Sequence, residues 1–177
     1  MWLLGIGGPQ TPIYQWWRGE PDAASRQEVR DVLHALVTQI PIVFQNAMAD
    51  IAIIEHTLDI GYTTYKQVDD LLFLHSLLWC ELPHSLAFIA SVCGQHEKMK
   101  HLAMTDPLYN AGDVAETING WEQCTKEMAR DPEVAWIYRE SMLPLIPIIL
   151  ESQRLGIRVD RPSVLAAKDT FERNRER

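Results

Sequence analysis

The sequence has 177 residues, 47% of them hydrophobic, with 24 acidic against 16 basic side chains and a formal charge of −8. That length and apolar share are enough for one ordinary domain, or for one domain and part of a second, and they exclude a disordered chain. The negative balance excludes a module that grips nucleic acid through a broad basic face, while it suits a site for divalent cations. Cys80, Cys93 and Cys124 are odd in number and show no C-x-x-C spacing, which excludes a disulfide framework and a zinc ribbon. Reduced core thiols of an intracellular protein are expected instead. The apolar start "MWLLGIGGP" lacks a basic leader, and "MLPLIPIIL" is too short and too broken by proline to span a bilayer, so no membrane address is expected.

In chain order, "WLLGIG" and "IYQWW" read as two strands joined by the turn "GGPQTP". The stretch "SRQEVRDVLHALV" predicts a helix, with Ser25 and Glu28 as a capping box and Val29, Val32, Leu33, Leu36 and Val37 on one face. "PIVFQ" (41–45) predicts a short buried strand that feeds a helix over "AMADIAIIEHTLDI" through Gln45 and Asn46. "KQVDD" predicts a last strand, and "LLFLHSLLW" and "SLAFIASVC" two short helices around "CELPH". Strands early and helices late predict an α/β sheet with helices packed over it.

From residue 107 the pattern is helical. "DPEVAWIYRESMLPLIPIILESQRLG" has Asp131 at its cap, Pro132 in its first turn and Gly156 at its end, with Pro144 and Pro147 expected to bend it. "IRVD" reads as extended and "SVLAAKDTFERNRER" as a charged helix.

Two residue pairs carry the chemistry. Asn46 and Asp50 are four apart where a strand turns into a helix, the kind of sheet end that faces ligands. Tyr109 and Asp113 are four apart on a later helix and therefore share a face. Several carboxylates converging from separate elements can hold two divalent ions, about 3.5 to 4 Å apart, for phosphodiester hydrolysis. Spacing alone leaves two readings, that metal site and ordinary solvated helix carboxylates.

The segments "FQNAMADIAIIE", "DDLLFLHSLLWCELPHSLAFIAS" and "KHLAMTDPLYNAGDVAET" together resemble, in order, the later two thirds of the 3'-5' exonuclease domain of family A DNA polymerases, the tyrosine-containing branch of the DEDD exonucleases. The family's N-x-x-x-D motif matches Asn46 and Asp50, and its Y-x-x-x-D motif matches Tyr109 and Asp113. Asp70 takes the place of the aspartate in the family's D-T-M segment, a structural position. "YRESMLPLIPIILESQRLGIRVD", with Pro144, Leu145, Pro147, Leu150, Gly156 and Asp160, resembles the passage from exonuclease to polymerase domain.

This resemblance implies a ribonuclease H-like α/β fold with an incomplete mixed sheet. Residues 1–127 would be the exonuclease domain without its first strand, and 128–177 the start of the polymerase domain. It implies a cytoplasmic setting (nucleoid or phage-infected cell), an organelle being the other. Two Mg2+ or Mn2+ ions would be held in part by Asp50 and Asp113, with Tyr109 orienting the attacking water. Gln45, Asn46, Lys100 and His101 would contact a single-stranded DNA 3' end. The family's first motif, Asp-x-Glu, has no match ahead of Asn46; Glu20 and Asp22 stand in the reverse order. Its carboxylates are expected upstream of Met1, on the remainder of a polymerase or on a complementing chain, leaving this chain with weak or no metal binding and no activity alone. Ala49 stands where the family carries an aromatic residue, which weakens base stacking there.

Other readings compete. Cys93, His96 and His101 in "CGQHEKMKH" suggest zinc, but i,i+5 histidines fall on different helix faces and a solvated loop fits better. "GIGGP" is not a dinucleotide loop, because no helix follows it directly. Trp2, Trp16, Trp17, Trp79, Trp121 and Trp136 fit core and edge packing better than base stacking. Beside the exonuclease stand a catalytically silent scaffold or single-strand-binding module and an unrelated α/β binding protein.

Overall fold

A computed structural model describes residues 2–18, 23–93 and 106–175. Strands β1 (Trp2–Gly8) and β2 (Thr11–Arg18) form an antiparallel hairpin around Pro9 and Gln10, with a register shift between Ile6 and Gly8. Helix α1 (Ala23–Gln39) follows, then β3 (Ile42–Phe44) and α2 (Ala47–Leu58). A single 3-10 turn (Tyr62–Thr64) leads to β4 (Val68–Asp70), which pairs parallel to β3 with Phe44 opposite Asp70. Short helices α3 (Leu71–Leu78) and α4 (Leu86–Cys93) precede the long α5 (Pro107–Met128). Then come α6 (Pro132–Ile137), α7 (Leu145–Leu155) and α8 (Arg161–Arg175).

The chain is thus a mostly helical α/β protein. The described strands make two separate two-stranded sheets and not one mixed sheet, since the hairpin and the β3–β4 pair share no ladder. Helix α5 lies against both, touching β1, β2 and β3. Its approach to the hairpin is close: a Cβ on Gly5 would collide with Asn110, and one on Gly7 would sit 3.1 Å from Val114. On the neighbouring face, a Cβ on Gly120 would lie 2.8 Å from Ile89 of α4 and 3.0 Å from Leu71 of α3. Small residues at these crossings let backbone meet side chain at interior packing density.

One hydrophobic core runs from α1 through α7, including Val37, Ile51, Ile60, Leu74, Ile89, Cys124, Tyr138, Ile146 and Leu150. Helix α1 begins at Ala23, two residues ahead of the expected Ser25 cap, and its buried stripe is narrower than expected. Val29, Leu33 and Val37 are buried while Val32 is exposed, because the helix packs along one i, i+4 row. Where a bend is expected at Pro144, the chain instead divides into α6 and α7, with a wide π turn at residues 138–142 just ahead of that proline. A proline ring clashes with the carbonyl four residues back, and widening the preceding turn relieves that clash. Pro147, in the first turn of α7, needs no bend, because its missing N–H would have had no partner there. Helix α8 buries nothing. Of the thiols, Cys124 is buried, Cys93 partly so and Cys80 exposed, which corrects the expectation of three core cysteines. Among the described residues no helix is long and apolar enough to cross a membrane.

Candidate functional site

The parallel strands β3 and β4 each run directly into a helix, and the two strand ends meet at the carboxylate of Asp70. Asp70 is fully buried and caps α3, accepting hydrogen bonds from the backbone N–H of Leu72 (2.8 Å) and Phe73 (3.3 Å). The same carboxylate reaches across to the start of α2 and accepts from the N–H of Ala47 (2.7 Å) and Asn46 (3.3 Å). One side chain therefore caps two helices. Burial pushes its carboxyl above the ordinary range, and the four N–H bonds pull it back. All four partners are donors at positive helix ends, so the ionised form is the one that satisfies them.

A second buried group locks this junction to the helical layer. The Asp70 N–H donates to the hydroxyl of Tyr138 (2.9 Å), and that hydroxyl donates to Asp69 (3.2 Å). Asp69 also accepts from the Gln67 amide at 2.7 Å. Burial pushes Asp69 up, opposed by these two hydrogen bonds and the charge of Arg139.

Asn46 occupies the turn between β3 and α2 in the left-handed region (φ 72°, ψ 60°), a conformation asparagine tolerates better than most residues. Its side chain makes no capping bond; its role at this junction is its backbone N–H toward Asp70. Gln45, one residue earlier, donates from Nε2 to the carbonyl of His84 at 3.3 Å. Asp50 lies one turn into α2, solvent-exposed, and its carboxyl is pushed up to about 6, by desolvation first and by the charge of Asp70 second. Solvent screens part of that push. Tyr65, packed edge-on against Phe44 with ring centroids 6.0 Å apart, is buried, and its hydroxyl has no hydrogen-bond partner among the described residues. Burial and the charge of Asp50 both push that phenol up.

Helix α5 is started by Asp106, which accepts from the Leu108 N–H at 2.8 Å, with Pro107 in the first turn. Tyr109 and Asp113 follow within two turns and are partly buried. Asp113 is seven residues before Gly120, so both fall on the face of α5 that meets α3 and α4. The Asp113 carboxyl is pushed up to about 6 by desolvation and then by Glu116. Lys100, His101 and His96 lie outside the described residues, as do the side chains of Trp2, Trp16 and Trp17. Trp79 and Trp121 make ring contacts with His75 and Tyr138, while Trp136 is exposed.

The structure thus joins Asn46 to Asp70, Gln45 to His84, and Asp50 to the field of Asp70. Asp113 interacts with Glu116. Among the described residues no group of three or more His, Cys, Asp or Glu side chains could hold a metal ion. Asp70 is taken up by its four N–H partners. Sequence reading missed Tyr138 and the His75–His84 contact, since partners 68 and 9 residues apart obey no helix or strand spacing. It also missed the double reach of Asp70, although an aspartate directly before the apolar run "LLFLHSLL" is an N-cap signal for α3. The chain matches no family model and no curated protein.

Proposed function

We propose that this chain is part of a family A DNA polymerase 3'-5' exonuclease domain of ribonuclease H-like fold. It contributes Asn46, Asp50, Tyr109 and Asp113 to a site whose remaining carboxylates come from an Asp-x-Glu segment elsewhere in the polymerase or on a complementing chain. One observation carries this reading. The two motif pairs occur in order, the first on the turn leaving β3 and the second on α5, which touches the same strand. Two divalent ions bound in the completed site would supply the hydrolysis of a terminal phosphodiester. Among the described residues no group of three or more such ligands stands together for it. What its own residues offer is the carboxylates of Asp50 and Asp113, both pushed up by burial, and a phenol one turn from Asp113.

The test is a labelled single-stranded oligonucleotide incubated with Mg2+ or Mn2+ and the chain, with and without a second polypeptide bearing an Asp-x-Glu strand. No hydrolysis by the chain alone is expected, and 3'-end trimming is expected in the mixture, lost in Asp50→Ala and Asp113→Ala. Trimming that persists in both variants would overturn the assignment. A second reading, a catalytically silent single-strand-docking module, is favoured by the lack of a three-ligand cluster among the described residues. It predicts oligonucleotide binding with no dependence on divalent cations.

A further inference from the structure

His75 is buried on α3, and His84 lies nine residues later, just before α4; their Nδ1 atoms are 2.9 Å apart. Two ring nitrogens at that distance share one hydrogen. One must be an N–H and the other a bare lone pair, because two N–H groups or two lone pairs facing each other repel. A first added proton can settle on Nε2 of the donating ring, which leaves the Nδ1–H···Nδ1 bond in place and strengthens it by charge. A second must go to the accepting Nδ1, and it removes the acceptor.

The surroundings restrict that second step. Trp79 lies 5.1 Å from the His75 ring centre and Phe88 of α4 lies 6.3 Å away, nearly perpendicular, so two apolar rings wall the imidazole. His84 is the titratable group that acts on it, and burial together with His84 holds His75 below the ordinary imidazole range. The His84 carbonyl in turn receives the Gln45 amide at 3.3 Å. The segment between α3 and α4 is therefore tied at one residue to α3 through its ring and to the end of β3 through its backbone.

We propose that His75 and His84 form a one-proton clasp that fixes residues 79–85 and the Gln45 amide over the end of β3, and that opens when both imidazoles are charged. The clasp is independent of the nuclease reading. Its test is nuclear magnetic resonance of the full chain with 15N-labelled histidine. At neutral pH one protonated and one bare Nδ1 are expected, with a scalar coupling between them across the bond. The coupling survives the first titration step and vanishes at the second, where the Leu82 amide, bonded to the Trp79 carbonyl at 3.0 Å, exchanges about tenfold faster than the intrinsic pH trend, the scale of one lost hydrogen bond. His84→Asn, whose side-chain amide reproduces the Nδ1 position and never charges, keeps the Leu82 amide protected in acid. Absence of the coupling at neutral pH, with both rings titrating in one step, would overturn the clasp whether or not the variant folds. So would loss of protection in acid by His84→Asn equal to that of the wild type.

Discussion

Asp50 and Asp70 are chemically the same group in nearly the same setting, each close to where a parallel strand becomes a helix, yet the fold treats them oppositely. Asp70 stands at the cap of α3, where its oxygens meet four backbone N–H groups that have no helical partner. Asp50 stands one turn inside α2, past those groups, and carries the like charge of Asp70 with no hydrogen bond among the described residues to offset it. A shift of four positions relative to the helix cap separates a carboxylate that holds the fold together from one left available to solvent or ligand.

The sharpest way to break this comparison is to remove each carboxylate in turn. Asp70→Ala leaves four N–H groups of two helices without partners, two of them at the buried β3–α2 turn, and should destabilise the chain by roughly 3 to 5 kcal/mol. Asp50→Ala should change stability by no more than about 0.5 kcal/mol. Urea unfolding followed by far-UV circular dichroism measures both; equal losses would mean that the two sites are not different in kind.

A smaller effect tests whether the junction extends beyond its own strands. Tyr138→Phe keeps the ring in the core but strands the buried Asp70 N–H and one oxygen of Asp69, a loss of about 1 to 2 kcal/mol. The same unfolding midpoints read it. No change would show that the π turn at 138–142 merely accommodates Pro144 and does not anchor the layer above β4.

How much of this was readable in the sequence depends on the range of the interaction. Elements set by local grammar were legible: the hairpin around Pro9–Gln10, the strand "IVF", helix from residue 107, the Asp131-Pro132 helix start, and Gly156 with φ 68° after α7. Burial was legible where it follows an i, i+4 row, as at Val29, Leu33 and Val37, and failed at Val32, where only the neighbouring elements decide which edge of the stripe is covered. The pairs Asn46/Asp50 and Tyr109/Asp113 could be found from spacing and resemblance. What surrounds them could not: the Asp70 bridge between two helices, Tyr138 reaching back to β4, and the orphan Tyr65 hydroxyl depend on chain segments meeting across the core.

The comparison is sharpened most finely by pH. The carboxyls of Asp50 and Asp113 sit at about 6 in the folded chain, against an unfolded value near 3.8. Between those values the native state holds more protons than the unfolded one, so stability from these groups falls as pH rises through the window and is regained on acidification from 7 toward 4. The direction is opposite to that of a salt-bridged aspartate. Its size is modest, because Asp50 is exposed and Asp113 partly so, and water screens both. Asp50→Asn and Asp113→Asn should each flatten the slope of unfolding free energy against pH in that window relative to wild type, and the double variant should flatten it further. Asp70→Asn should act on Asp50 in the same sense, by removing the charge that raises it. A wild-type slope that survives in the double variant would place the strained carboxylates elsewhere, and the division between a satisfied junction and an unsatisfied shelf would no longer hold.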